Sequence, residues 1–274
     1  MPVEDDLVRL ARAHQQQLLM IRAASSATVA ALWDRYLLRP DDVSRDRWLP
    51  AAAQAVTAAQ QAAAAAVIAH VPQSVRVAGA TPDPTPATLQ PAAFLSPRGV
   101  DTATVLARSV IQVRRGLADG KPFEAAMSEG RSRAVQTAAT EPMLTARQAN
   151  REAMKAQPRI VAYRRVPDGN ACKFCLLVST RRYWVADLMP VHPGCGCTVA
   201  PIIGDIDPGE VLDRGLADQL VAADPSLGLR GEARNTARAA AKRQLDRANE
   251  LVDVHDHGEL GPTLYQSGLR FSEA

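Results

Sequence analysis

All four cysteines of this 274-residue chain, and one of its five histidines, fall within a single stretch of 26 positions. Cys172-Lys-Phe-Cys175 presents two thiols, and after 16 intervening residues His192-Pro-Gly-Cys195-Gly-Cys197 presents a histidine and two more thiols. Zn²⁺ takes four sulfur or nitrogen ligands in a tetrahedron, so a metal here would fold this stretch back on itself. The pattern favours a structural zinc held by four of these five candidate ligands.

Two alternatives to a metal site stay open for the cysteines. They are either buried free thiols beside a histidine that packs or caps a turn, or partners in reversible disulfides. Four cysteines are too few for a disulfide scaffold in a chain of this length. A catalytic zinc is less favoured, because a thiol-rich ligand set is closed and no glutamate stands beside His192 to act as a base.

The composition indicates a mainly helical protein. Apolar residues make up 47% of the chain but aromatic residues only 4%, so the core is mostly alanine, valine and leucine, which suits close-packed helices. The net charge of +3 is mild for a dedicated nucleic-acid binder. Neither a signal peptide nor a membrane span is expected, and we expect no membrane partner and a reducing cytosol.

The first part of the chain predicts a long antiparallel helical hairpin. Apolar and small residues recur at steps of three and four over 4–38, and again over the alanine-rich segment 50–71. Pro50 suits the first position of the second helix. Six prolines then fall within 72–98, a density that predicts an extended linker without helix.

Helical periodicity resumes after Asp101, which suits an N-cap. Two further helices are predicted over 122–138 and 142–156, with a break before Pro142. Strands are predicted at 160–166, 183–185 and 198–203, then helices at about 208–222 and 231–252, then an irregular tail from His255.

Together these patterns predict a mainly α fold with a small α+β zinc-knuckle module and a long N-terminal helical hairpin. We expect five regions along the chain. They are a helical hairpin (1–71), a proline-rich linker (72–98), a helical middle region (99–158), a Cys/His zinc-binding module (159–204), and a helical C-terminal region with an irregular tail (205–274).

The cysteine-rich stretch resembles the signature of the Mu F-like phage minor head proteins. That signature is Cys-x-x-Cys followed, after a spacer, by His-Pro-x-Cys-x-Cys. Residues 120–131 and the tail segment 257–264 are similar to the version of this family found in phages of actinobacteria. The resemblance covers roughly residues 94–272, whereas the N-terminal prediction depends on periodicity alone.

The resemblance implies a minor capsid protein, present in few copies in the phage head and acting in head assembly and in DNA packaging or ejection. Its implied partners are the portal protein and, as a further partner, the major capsid protein. Its implied location is the virion, in the capsid interior near the portal, with the host cytoplasm during assembly.

Some relatives are labelled capsid maturation proteases, so proteolysis is the alternative function. A protease needs a nucleophile with a base, or an open metal. His14 and His70 lie on the apolar stripes of the predicted helices, where core or interface histidines are expected. We therefore predict no catalytic residue and favour a protein that is not an enzyme.

A nucleic-acid-binding zinc module is the second alternative. In the predicted helix 231–252, a spacing of four brings Arg234, Arg238 and Lys242 near one face, where they would contact DNA phosphates or an acidic portal surface. A solvated helix face, balanced by nearby acidic residues, is the favoured interpretation of these charges.

Overall fold

The computed structural model describes residues 2–169, 171, 173–188, 195–209, 212, 236, 239, 252–256 and 262–266. The chain divides into two compact units. The sheet unit comprises Met1–Gln15, His70–Pro84 and Met154–Ala274. The helical unit comprises Gln16–Ala69 and Thr85–Ala153.

The described chain is mainly helical with a small sheet region, as the composition predicts. Its α-helices are α1 (Val3–Tyr36), α2 (Asp42–Val77), α3 (Thr102–Ala118), α4 (Phe123–Lys155) and α5 (Lys173–Ser179), with short 3-10 helices at Pro91–Phe94 and Val185–Asp187. Its strands are β1 (Ile160–Val166), β2 (Arg182–Trp184), β3 (Thr198–Ile203), β4 (Val252–Asp256) and β5 (Pro262–Gln266). Within the described ranges, no helix has the length and apolarity needed to cross a membrane.

The first helix has nearly the predicted bounds, but the second begins earlier than Pro50. The carboxylate of Asp41 accepts a hydrogen bond of 2.7 Å from the backbone N–H of Ser44, which stabilises the start of α2. Trp48 then lies fully buried, with its ring edge-on to Trp33 at a centroid distance of 5.1 Å. The part of α2 that precedes Pro50 therefore contributes Trp48 to the core of the helical unit.

Two predictions that depend on proline are wrong. α2 continues through Pro72 to Val77, inside the segment predicted to lack helix. α4 is one helix with Pro142 inside it, where a break between two helices is predicted. A proline within a helix removes one backbone hydrogen bond, at a cost of about 3 kcal/mol. The buried residues on either side of Pro142, Glu141 and Met143, anchor α4 in the core and offset that cost.

The helical unit is packed around a core of two tryptophans and small apolar residues. Its buried members are Val29, Trp33, Leu37, Trp48, Ala52, Val56, Leu106, Val110, Val113, Ala126, Ala134 and Ala138. Asp101 caps α3 as predicted, accepting a 2.9 Å hydrogen bond from the N–H of Thr104. Gly130 of α4 lies against α3 so closely that a Cβ there would sit 2.2 Å from Val113 Cγ2.

A buried polar network also holds the helical unit together. Arg98 and Glu141 form an ion pair of 2.6 Å, with side chains 10% and 1% exposed. Gln60 donates to the Glu141 carboxylate at 3.3 Å and accepts from the Thr102 hydroxyl at 3.1 Å. The charge of Glu141 is therefore paired and hydrogen-bonded, as burial of a carboxylate requires.

The sheet unit contains a three-stranded antiparallel sheet in the order β2–β1–β3. These strands confirm the three predicted ones to within a residue. Tyr163 pairs with Tyr183, and Arg165 pairs with Val199. Every residue of β3 is buried, so this strand is covered on both faces.

The tail departs from the predicted irregular structure, because β4 and β5 pair as an antiparallel hairpin. Leu264 is 5% exposed, so the hairpin has a buried side. The predicted helices at 208–222 and 231–252 lie almost entirely outside the described residues.

Candidate metal centre

Three cysteines from two separate segments of the chain meet beside the three-stranded sheet. Cys175 lies in α5, and Cys195 and Cys197 immediately precede β3. These residues are 1%, 3% and 5% exposed, and none of the three forms a disulfide. The sulfur atoms lie within 4.8 Å of one another, so the sheet unit gathers them around one point.

The spacing of the sulfurs fits a tetrahedral metal. The sulfurs of Cys175 and Cys195 are 3.8 Å apart. A tetrahedron with Zn–S bonds of about 2.3 Å places its sulfurs about 3.8 Å from each other. The Cys175–Cys195 pair thus has the separation of two sulfurs on one Zn²⁺, and the third thiol lies within 4.8 Å of both.

The other two predicted ligands, Cys172 and His192, lie outside the described residues. Cys172 precedes α5 by one residue, and His192 precedes Cys195 by three. The assignment of four ligands among the five candidates stays a prediction, of which the described part supplies three thiols.

Without a cation, the thiols resist ionisation. Hydrogen bonds with Cys195 and Cys197, together with burial, raise the pKa of the Cys175 thiol well above its ordinary value. The contact with Cys175 lowers the pKa of Cys197, but the contact with Cys195 and burial raise it to about 12. Three thiolates this close would repel one another, and a divalent cation removes that penalty by replacing the protons.

Gln15, which the sequence analysis missed, ties the cysteine loop to α1. Its side-chain amide donates to the carbonyl of Val166 at 2.8 Å and to the carbonyl of Gly196, between the two cysteines, at 3.3 Å. Gln15 is 4% exposed. This buried side chain therefore fixes the end of β1 and the Cys195–Cys197 loop on one helix.

Arg165 is the second functional candidate that the sequence analysis missed. It is 1% exposed in the middle of the sheet unit. The sequence does contain one indication that an arginine is buried here. Tyr163-Arg164-Arg165-Val166 lies in a strand with apolar residues on both faces, and because side chains alternate along a strand, one of two adjacent arginines points inward.

The two helix-stripe histidines are buried, as predicted. The rings of His14 and His70 stack in parallel, with centroids 4.1 Å apart and an interplanar angle of 5°. Neither ring nitrogen of His14 has a hydrogen-bond partner in the described part of the chain. Burial lowers the pKa of His14 to about 4, and burial with the charge of His14 lowers that of His70 to about 3.

His70 also contacts a serine, at 3.5 Å between its Nε2 and the hydroxyl of Ser74. These residues are 4% and 1% exposed. The contact is therefore closed to a polypeptide substrate and does not form a nucleophile–base site of the kind a protease needs. The residues predicted to contact DNA, Arg234, Arg238 and Lys242, lie outside the described residues.

The fold and the site define a mainly helical protein whose small sheet carries a buried thiol cluster. A family model described as VG15 protein matches residues 4–214, about three quarters of the chain. The chain therefore belongs to the VG15 protein family, a phage-associated family. The match includes the N-terminal helices, β1 to β3 and the cysteine cluster, and it ends before the β4–β5 hairpin.

No curated protein and no solved structure shows significant similarity to this chain.

Proposed function

We propose that this protein is a minor capsid protein of the phage head that associates with the portal and acts in head assembly and in DNA packaging or ejection. Membership of a phage-associated family supports a role in a phage. The resemblance of the cysteine-rich stretch to the Mu F-like signature supports the finer role. The proposed location is the capsid interior near the portal, with the portal protein and the major capsid protein as partners.

The observation that carries this proposal is the meeting of three signature cysteines in one buried cluster. Cys175 belongs to the Cys-x-x-Cys part of the signature, and Cys195 and Cys197 belong to the other part. Both halves of a sequence signature thus converge on one site, which is what a shared metal would require of them.

We propose a structural role for the metal. The three thiols are nearly inaccessible to solvent, and a ligand set completed by Cys172 or His192 would leave no position open for a substrate. Bound zinc would stabilise the fold by joining α5 to the loop before β3. Chelation would then loosen the sheet unit.

Quantitative mass spectrometry of purified phage particles tests the head assignment. We expect the intact chain in mature particles, at a few copies for each portal ring. Absence of the chain from mature particles would contradict the proposal. Termini produced by self-cleavage would favour the maturation-protease alternative instead.

A matched pair of variants tests whether the cluster matters for incorporation. Cys195→Ser removes one proposed ligand, whereas Ser179→Ala changes a small buried side chain of α5 that is not a proposed ligand. We expect Cys195→Ser to lower the number of copies in particles and Ser179→Ala to leave it unchanged. Equal incorporation of the two variants would refute a role for the cluster in assembly.

A further inference from the structure

Arg165 is 1% exposed and lies in the sheet unit that also holds the thiol cluster. Arg165 lies on β1 and shares a face of that strand with Tyr163, two residues earlier. Its guanidinium carbon lies 4.9 Å from the centre of the Tyr183 ring and 5.9 Å from that of Tyr163. The two rings stack on each other with centroids 5.3 Å apart, so together they form an aromatic wall beside the guanidinium.

Tyr183 connects this aromatic wall to α5, the helix that carries Cys175. The hydroxyl of Tyr183 donates a 2.8 Å hydrogen bond to the carbonyl of Val178, in α5. On the other side of β1, Arg165 pairs with Val199, two residues after Cys197. The arginine therefore lies between the two chain segments that supply the thiols.

Arg165 interacts electrostatically with the cysteines. Burial would lower the pKa of this guanidinium, but the ionised forms of Tyr163, Tyr183, Cys195 and Cys197 would raise it, and the net direction is upward, so Arg165 stays positively charged. A buried cation is costly unless anionic or aromatic groups compensate it. The thiolate forms of Cys195 and Cys197 supply such a charge.

We propose that Arg165 is a positioning residue for the metal centre, whose buried positive charge offsets the excess negative charge of the metal-bound thiolates. This inference rests on the proposed metal site. Three thiolates around one divalent cation carry a net charge of −1, and a guanidinium beside them reduces the cost of burying that charge. The aromatic wall holds the guanidinium in place, because arginine stacks on aromatic faces and stays charged at any physiological pH.

The arrangement also accounts for an arginine in this strand. A metal-free cluster of neutral thiols offers a buried guanidinium little compensation, whereas a metal-loaded cluster offers a full negative charge. The metal and Arg165 should therefore stabilise each other. Outer residues that tune metal ligands in this way typically change metal affinity by about 10- to 100-fold when they are replaced.

The test compares zinc affinity among full-length variants, measured by competition with a chromophoric chelator. Arg165→Met removes the charge and keeps the length of the side chain, and Arg165→Lys keeps the charge. Arg182→Met is the matched control, because Arg182 is exposed on neighbouring β2 and stacks on Trp184 instead. We expect a loss of at least about tenfold for Arg165→Met, and values within about threefold of wild type for the other two.

Cobalt provides a readout that a purely structural role would not move. In the Co²⁺-loaded protein, a nearby positive charge lowers the energy of the sulfur electrons and so raises the energy of the sulfur-to-cobalt charge-transfer band. We expect this band to shift to longer wavelength in Arg165→Met and to stay in place in Arg165→Lys and Arg182→Met.

The outcomes separate the inference from the proposal on which it depends. If the wild-type protein binds neither Zn²⁺ nor Co²⁺, the proposed metal centre itself is refuted. Wild-type binding with equal affinity and an unshifted band in Arg165→Met would overturn the role of Arg165 alone. If Arg165→Met does not fold, Arg165→Lys decides: an affinity near that of wild type supports the role of the charge, and a tenfold loss with the charge kept overturns it.

Discussion

The stacked histidines make stability depend on pH in a defined direction. The folded protein holds His14 and His70 neutral, with pKa values of about 4 and about 3, against 6.5 in an unfolded chain. Below pH 6.5 the unfolded state therefore binds more protons than the folded state, and stability falls as the pH drops through this window. Between pH 7 and pH 5 the loss is about 2 kcal/mol for each ring, or about 4 kcal/mol for the pair.

A double variant isolates this contribution from other acid-sensitive groups. His14→Phe with His70→Phe keeps two stacked rings but removes both titrating groups. Urea unfolding at pH 7 and pH 5 gives the free energy of unfolding of each protein. We expect the difference between the two pH values to be about 4 kcal/mol smaller in the double variant than in wild type. An equal pH dependence in the double variant and wild type would refute the reasoning.

Three further predictions concern packing and buried polar groups. Gly130→Ala places a methyl group 2.2 Å from Val113 Cγ2 and should lower the free energy of unfolding by about 2 kcal/mol in a denaturant titration, whereas Ser128→Ala at an exposed site of the same helix should not. Glu141→Gln removes a buried charge that pairs with Arg98 and should cost about 3 kcal/mol, measured in the same way; a change below about 1 kcal/mol would mean that the ion pair contributes little. Gln15→Leu removes the side-chain donor to the carbonyls of Val166 and Gly196 and should destabilise the protein by about 1–3 kcal/mol and weaken zinc binding; unchanged zinc affinity would contradict its role as a clamp on the cysteine loop.

The sequence predicted the elements whose patterns are local. The periodicity of 4–38 matches α1 closely, because each apolar residue of an amphipathic helix points toward the same side. Asp101 caps α3 as its side chain predicts, and the three strands around the cysteines occur where alternation and β-branched residues indicate.

Tertiary contacts decided the elements that were predicted wrongly. Pro142 disfavours a helix locally, but the buried neighbours Glu141 and Met143 anchor α4 on both sides of it. Pro72 is followed by Ser74 and Val75, each 1% exposed, and these hold the last turn of α2. A local propensity of a few kcal/mol is overridden where burial of several side chains opposes it.

In the candidate site too, local sequence patterns predicted one part and tertiary contacts determine the other. Cysteine spacing predicted that Cys175, Cys195 and Cys197 come together, because the ligands of a structural zinc are typically supplied in closely spaced pairs. It could not reveal Gln15, which lies more than 150 residues before Val166 and Gly196 in the chain, or the burial of Arg165 between two tyrosines. Such residues reach the site only when the chain has folded, so no short sequence pattern reveals them.

The metal content of the purified full-length chain tests the central claim most directly. Native mass spectrometry of protein made with zinc in the medium should show one zinc ion per chain, retained through dialysis and lost when Cys195 is replaced by serine. A wild-type chain that carries no metal, with free thiols that react fully with a thiol reagent in the folded state, would contradict the account.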